Sequence, residues 1–213
     1  MRHLVLRLEA PLVSFGDVSI DALGPISEFP SSSMITGLLA NALGYRREEG
    51  ERLNALQQRI VHGARIDAAG DRFTEFQTAQ LGAGDTGWTT RGRAEGRAGG
   101  AKTYDSPHLR YRDHHADLRC TLALRLTDAA SVAATPTLDD VAEALDAPAR
   151  PLFLGRKACL PSRRIVDGWV EAPSLFDALL AIPPTEGHVL QSAWRPGATV
   201  RLSLSSAEPC PAG

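Results

Sequence analysis

The chain has 213 residues, 43% of them hydrophobic, which suits one ordinary globular domain with a core that needs no disulfide staples. A formal charge of −2 excludes a uniformly basic nucleic-acid binder, and Arg7 and Glu9 interrupt the first apolar run, which excludes a signal peptide or membrane span there. Cys120, Cys159 and Cys210 are far apart, with no CxxC or Cys/His spacing, so they read as free thiols in a reducing cytoplasm, with no metal or other cofactor expected.

HLVLRLEA, residues 3–10, alternates with Leu4, Leu6 and Leu8 on one face, the pattern of a half-buried strand. SSSMITGLLANALGY then places Met34, Ile35, Leu38, Leu39, Ala42 and Leu43 on one helical stripe, with Ser32 or Ser33 as cap and Gly44 as stop. Ser31, Ser32 and Ser33 at that helix start offer hydroxyls beside free amides, a seat for phosphate or simply a cap. ERLNALQQRI reads as a second short helix, and residues 58–67 read as a strand.

Residues 81–117 make too long a connection to be ordinary, and such loops are functional or disordered. Seven glycines lie between Leu81 and Gly100, interleaved with Arg91, Arg93 and Arg97. Glycine permits close backbone approach, and arginine offers a planar fork for phosphates. That combination suits either an arm that wraps single-stranded RNA or a solvated insertion. KTYDSPHLRYRDHH follows, where Tyr104 and Tyr111 can stack on bases while Lys102, Arg110 and Arg112 meet phosphates. The other reading is a hairpin whose tyrosines pack locally. His114 and His115 are adjacent, so on a strand they point to opposite faces and make a poor acid–base pair. From Trp88 to Arg112 six basic residues face two acidic ones, a local net of +4 on a body of −6.

RCTLALRL, residues 119–126, repeats the alternating strand pattern. TLDDVAEALDAP opens on Thr137 with Asp140 three residues on, a capping-box-like helix start, and stops at Pro148. LFLGRKACLPSRR, residues 152–164, carries Arg156, Lys157, Arg163 and Arg164 with no acidic residue, and its glycine turn suits either a phosphate contact or a solvated loop. APSLFDALLAIPP allows one or two helical turns before Pro183, and residues 198–204 alternate as a last strand. Neither a phosphate-cradling GxxxxGK[ST] nor a GxGxxG pattern occurs. The order of elements predicts an α+β, ferredoxin-like split βαβ domain over residues 1–150, with a thumb at 81–117 and a small irregular β extension over 151–213.

The stretch LVLRLEAPLVSFGDVSIDALGPISEFPSSSMITGLLANALGY, residues 4–45, resembles the start of the CRISPR-associated RAMP subunit of Cascade, the CasD family of type I-E systems. Its marks are the Leu-Arg-Leu strand end, Pro11, the pair Phe15-Gly16, and the Pro-Ser-rich lead-in at Pro30 to Ser33 before Gly37-Leu38-Leu39. LFLGRKACLP is similar to a later stretch of the same family. The resemblance implies an RRM-related RAMP domain that caps the 5′ handle of the crRNA. It implies as partners the backbone and large subunits of Cascade, target DNA bound by the assembled complex, and no membrane. It also implies that Ser14, Phe15, Gly16, Ser31, Ser32, Ser33, Arg156 and Lys157 lie near the handle, with the Arg-Gly run as the thumb. Related type I-C proteins cleave precursor RNA with a Tyr, Lys and His set, so a metal-independent endoribonuclease using Tyr45, His114 and His115 is the alternative. No convincing Lys-His partner for Tyr45 follows, which favours a binder over an enzyme.

Overall fold

The computed structural model describes residues 1–80, 87–88, 94–95, 107–127, 136–183 and 201–205. The elements in chain order are β1 (Arg2–Glu9), β2 (Leu12–Val13), β3 (Leu23–Gly24), α1 (Ser32–Ala42), α2 (Gly50–Arg59), β4 (Ile60–Ala68), β5 (Asp71–Ala79), β6 (Gly87–Trp88), β7 (Ala94–Glu95), β8 (His108–Ala116), β9 (Arg119–Leu126), α3 (Leu138–Asp146), β10 (Val166–Glu171), α4 (Leu175–Ala181) and β11 (Arg201–Leu204). The protein is a mixed α+β chain with antiparallel main-sheet pairings.

The main sheet runs β10-β1-β9-β4-β11. Helices cover both of its faces. On one side Leu4, Leu6, Leu8, Leu122 and Leu124 meet Ile35, Leu39 and Ala42 of α1 and Val141 and Leu145 of α3. On the other, Val5, Val61 and Ala123 meet Leu175, Ala178 and Leu179 of α4. Each fully buried leucine contributes about 1.5–3 kcal/mol of transfer free energy. β1 is therefore buried on both faces, not on one as its alternation predicts: His3, Val5 and Arg7 are covered too. The alternation misleads because the residues between the leucines include Arg7, whose charge is matched inside the fold. Its Nη1 lies 3.1 Å from Asp67 Oδ2 and its Nε 2.8 Å from Asp167 Oδ2, while Nη2 donates to Pro183 O at 2.8 Å. Arg65, fully buried, joins the same network through Asp67 Oδ1 at 2.5 Å and Ile182 O at 2.7 Å.

α1 is capped by Ser31 rather than by Ser32 or Ser33: the Ser31 hydroxyl accepts from Met34 N at 3.3 Å. Gly44 closes it at φ +79°, as predicted. The capping box of α3 forms as its sequence predicts, with Thr137 and Asp140 each accepting from the other's amide. α4 ends on Ile182, just before Pro183.

The long connection predicted over 81–117 is shorter. Residues 108–116 form β8, which pairs with β5 over nine positions from Asp71↔Ala116 to Ala79↔His108. β2 and β3 flank β8 to make a second sheet, and β6 and β7 pair with each other. The Arg-Gly run, including Arg91, Arg93 and Arg97, and the following Lys102 and Tyr104 lie outside the described residues. Residues beyond 150, predicted as a separate extension, supply both edge strands of the main sheet: β10 on β1 and β11 on β4.

Candidate functional site

A groove of about 1030 Å³ runs along α1, between it, the Ser14–Ser19 segment, the turn after α1 and the loop carrying Arg150 to Arg156. It brings together Ser14, Gly16, Ser31, Ser33 and Arg156, five of the residues singled out by sequence. Two backbones build its wall. Ser14 N donates to Leu154 O at 3.0 Å, and Gly155, at φ +96°, lies so close that a Cβ there would collide with Ser14 O. Only glycine meets both demands. Ser14 is 1% exposed, and its hydroxyl makes no hydrogen bond among the described residues.

Other residues predicted for the site sit elsewhere. Phe15 is fully buried, with its ring centroid 5.7 Å from that of His115, so its ring packs in the core. Ser32 turns its carbonyl to the Thr36 hydroxyl and does not line the groove. Lys157 is exposed beyond the groove's lining. Arg156 is half-buried: Nη1 donates to Asp113 O at 2.7 Å and Nη2 to Gly24 O at 2.9 Å. Burial and the nearby Arg112 charge lower its pKa.

β5 and β8 form a ribbon with two unlike faces, because antiparallel partners share a face and neighbours alternate. Arg110 and Arg112 stand opposite Gln77 and Glu75, and with His108 and Gln80 they line a second concavity of about 540 Å³. On the other face Tyr111 stands opposite Phe76, ring centroids 5.1 Å apart, with exposed Leu109 and Leu23 beside them. Tyr111 and its flanking arginines therefore point to opposite sides.

The three residues of the cleavage alternative do not converge. The Tyr45 ring is buried under the Arg52 guanidinium, 3.7 Å above it, and lines the groove. His115 Nε2 lies 2.9 Å from Ser27 O. His114 is 1% exposed, its Nδ1 3.6 Å from Cys159 Sγ and its Nε2 3.3 Å from both Glu75 Oε2 and Arg156 Nη1. One nitrogen cannot both accept from Arg156 and donate to Glu75, so the tautomer chooses between them. Burial first, then the Arg156 charge, pushes the His114 pKa down, with Glu75 opposing. Burial likewise raises the Cys159 thiol. Among the described residues no group of three His, Cys, Asp or Glu side chains is placed to hold a metal ion. Nor is any helix long and apolar enough to cross a membrane.

Sequence reasoning missed Arg46, Arg47, Asn41 and Arg150, all of which line the groove. The signal for the first two was available: a basic pair directly follows the helix stop at Gly44 and Tyr45. Phe76 was missed as the partner of Tyr111 because β5 was not read as a strand.

A family model described as CRISPR-associated protein (Cas_Cas5) matches residues 3–209. The Cascade subunit CasD of Escherichia coli (strain K12) is 27% identical over 187 residues, covering 88% of this chain and 80% of that one. A chain of a CRISPR RNA-guided surveillance complex superposes with a TM-score of 0.59 at 29% identity, covering 76% of this chain and 61% of that one, less than two thirds of its length. A crystallised Cas protein gives 0.52 at 26% identity, covering 83% and 69%. With its β1 strand, its α1 lead-in and nearly all of its length inside that match, the chain belongs to the Cas5 family of CRISPR-associated proteins and is a homologue of CasD.

Proposed function

We propose that this protein is a non-catalytic, cytoplasmic subunit of a type I-E-like Cascade complex. It binds and caps the 5′ handle of the crRNA and joins the backbone and large subunits around it, so that the assembled complex can target DNA. The groove beside α1 carries this reading, because it collects hydroxyls, main-chain amides and guanidinium groups in one concave strip next to the family's signature residues. Single-stranded RNA with unstacked bases is the ligand that such a strip fits. The basic face of the β5–β8 ribbon extends the same chemistry, and Tyr111 offers a ring for stacking on the other face.

The core supports reading the domain as ferredoxin-like: β1, α1, β4, β9, α3 and β10 follow in the order βαββαβ, with strands arranged β10-β1-β9-β4. In this reading the β5–β8 ribbon is the base of the thumb. The absence of catalysis is supported by the site itself: Tyr45, His114 and His115 are each engaged by protein groups, and burial disfavours the charged imidazole at His114.

Assembling the complex with and without this chain, then digesting with a single-strand ribonuclease, tests the proposal. Protection of the 5′ handle only when the chain is present is the expected result. Full protection without it overturns the capping role, and cleavage of repeat RNA in EDTA by the chain alone overturns the non-catalytic one.

A further inference from the structure

Four guanidinium groups line the groove, at Arg46, Arg47, Arg150 and Arg156, against the two carboxylates of Asp17 and Glu48. Two of the four are already spent on the protein. Arg150 Nε donates to Asn41 Oδ1 at 2.9 Å, and its Nη2 donates to Tyr45 O, tying down the end of α1. Arg156 gives both Nη atoms to main-chain carbonyls, one on β3 and one on β8. A planar fork fixed at both tips has few donors left for a phosphate, and withdrawing it would leave two carbonyls and a half-buried charge unmatched.

Arg46 and Arg47 are different. Both are exposed, and neither side chain makes a hydrogen bond or ion pair among the described residues. The groove thus holds two cations that the protein leaves free beside two that it has already committed.

We propose that Arg46 and Arg47 are the phosphate-contacting cations of the groove and that Arg156 is a positioning residue. Arg156 holds the Gly155 loop against β3 and β8 and so keeps the wall beside Ser14 in place. The ligand class is a single-stranded polyanion, which rests on the RNA-binding reading above.

Salt dependence separates the two roles, because each phosphate contact contributes about 0.7 to the slope of log K against log salt for a single strand. The probe is a labelled ten-nucleotide single-stranded RNA, titrated against the full chain and its variants at several salt concentrations. Replacing Arg46 and Arg47 by alanine is expected to lower the slope by about 1.4. Arg156→Gln is expected to weaken binding at every salt concentration with the slope unchanged. A slope that falls for Arg156→Gln, or stays unchanged for the Arg46/Arg47 double variant, overturns the assignment while leaving RNA binding itself intact. If Arg156→Gln does not fold, the double variant alone decides. A wild-type chain that binds no RNA overturns both this assignment and the function on which it rests.

Discussion

At Gly155 the left-handed backbone and the contact with the Ser14 carbonyl coincide, so a side chain there meets strain and collision together. Gly155→Ala is expected to cost on the order of 3 kcal/mol, read as a shift in urea midpoint. His114 makes a prediction in pH. Its folded pKa lies below the unfolded one, so below about 6.5 the unfolded chain takes up a proton that the folded chain resists. Stability therefore rises with pH across that window and is lost as the solution is acidified through it. Burial is the largest cause of the shift; of the groups facing the ring, Arg156 in the glycine loop and Arg112 on β8 lower its pKa, Glu75 on β5 raises it, and Cys159 lies beside it. His62, also lowered by burial, contributes with the same sign. Urea midpoints measured from pH 7.5 to 5 check this: His114→Gln should flatten the pH dependence, and an unchanged curve would mean that His62 accounts for it all.

At the level of elements, α1 depends on Ser31, and Ser31→Ala is expected to cost about 1 kcal/mol of stability, measured by chemical denaturation. The same contrast of periodic and aperiodic segments explains what the sequence made legible. β1, α1, β9 and α3 announce themselves because one buried face repeats at a fixed period and caps mark the helix ends. β5 does not, since DRFTEFQTA exposes most of both faces and carries a charge between its aromatic residues. β10 hides for another reason: Gly168, at φ +141°, and a shift in its register with β1 interrupt any alternation. Of the groove's lining, Ser14 and Gly16 were pointed to by the family resemblance, and Ser31 and Ser33 by the serine run at the helix start. The role of Arg156 was not, because its partners at Gly24 and Asp113 are brought to it only by the folded chain.

Across the whole molecule, the buried Arg7, Arg65 and Asp67, with Asp167 at the surface, tie β1 and β4 to the strand β10 and to the end of α4. Removing Asp67 would take from the buried Arg65 the carboxylate it pairs with and leave Arg7 with Asp167 as its remaining one. Asp67→Ala is therefore expected to cost about 3–5 kcal/mol, checked by denaturant unfolding, whereas an exposed pair such as Arg2 and Asp139 should cost under about 1 kcal/mol when broken. Both edge strands of the main sheet, and the helix that covers its outer face, come from the last quarter of the chain. As the chain leaves the ribosome, β1, β4 and β9 can pair long before either flank is closed. The nascent sheet then shows two open edges and a bare apolar face of Val5, Val61 and Ala123 until β10, α4 and β11 follow, an exposure that invites wrong pairing.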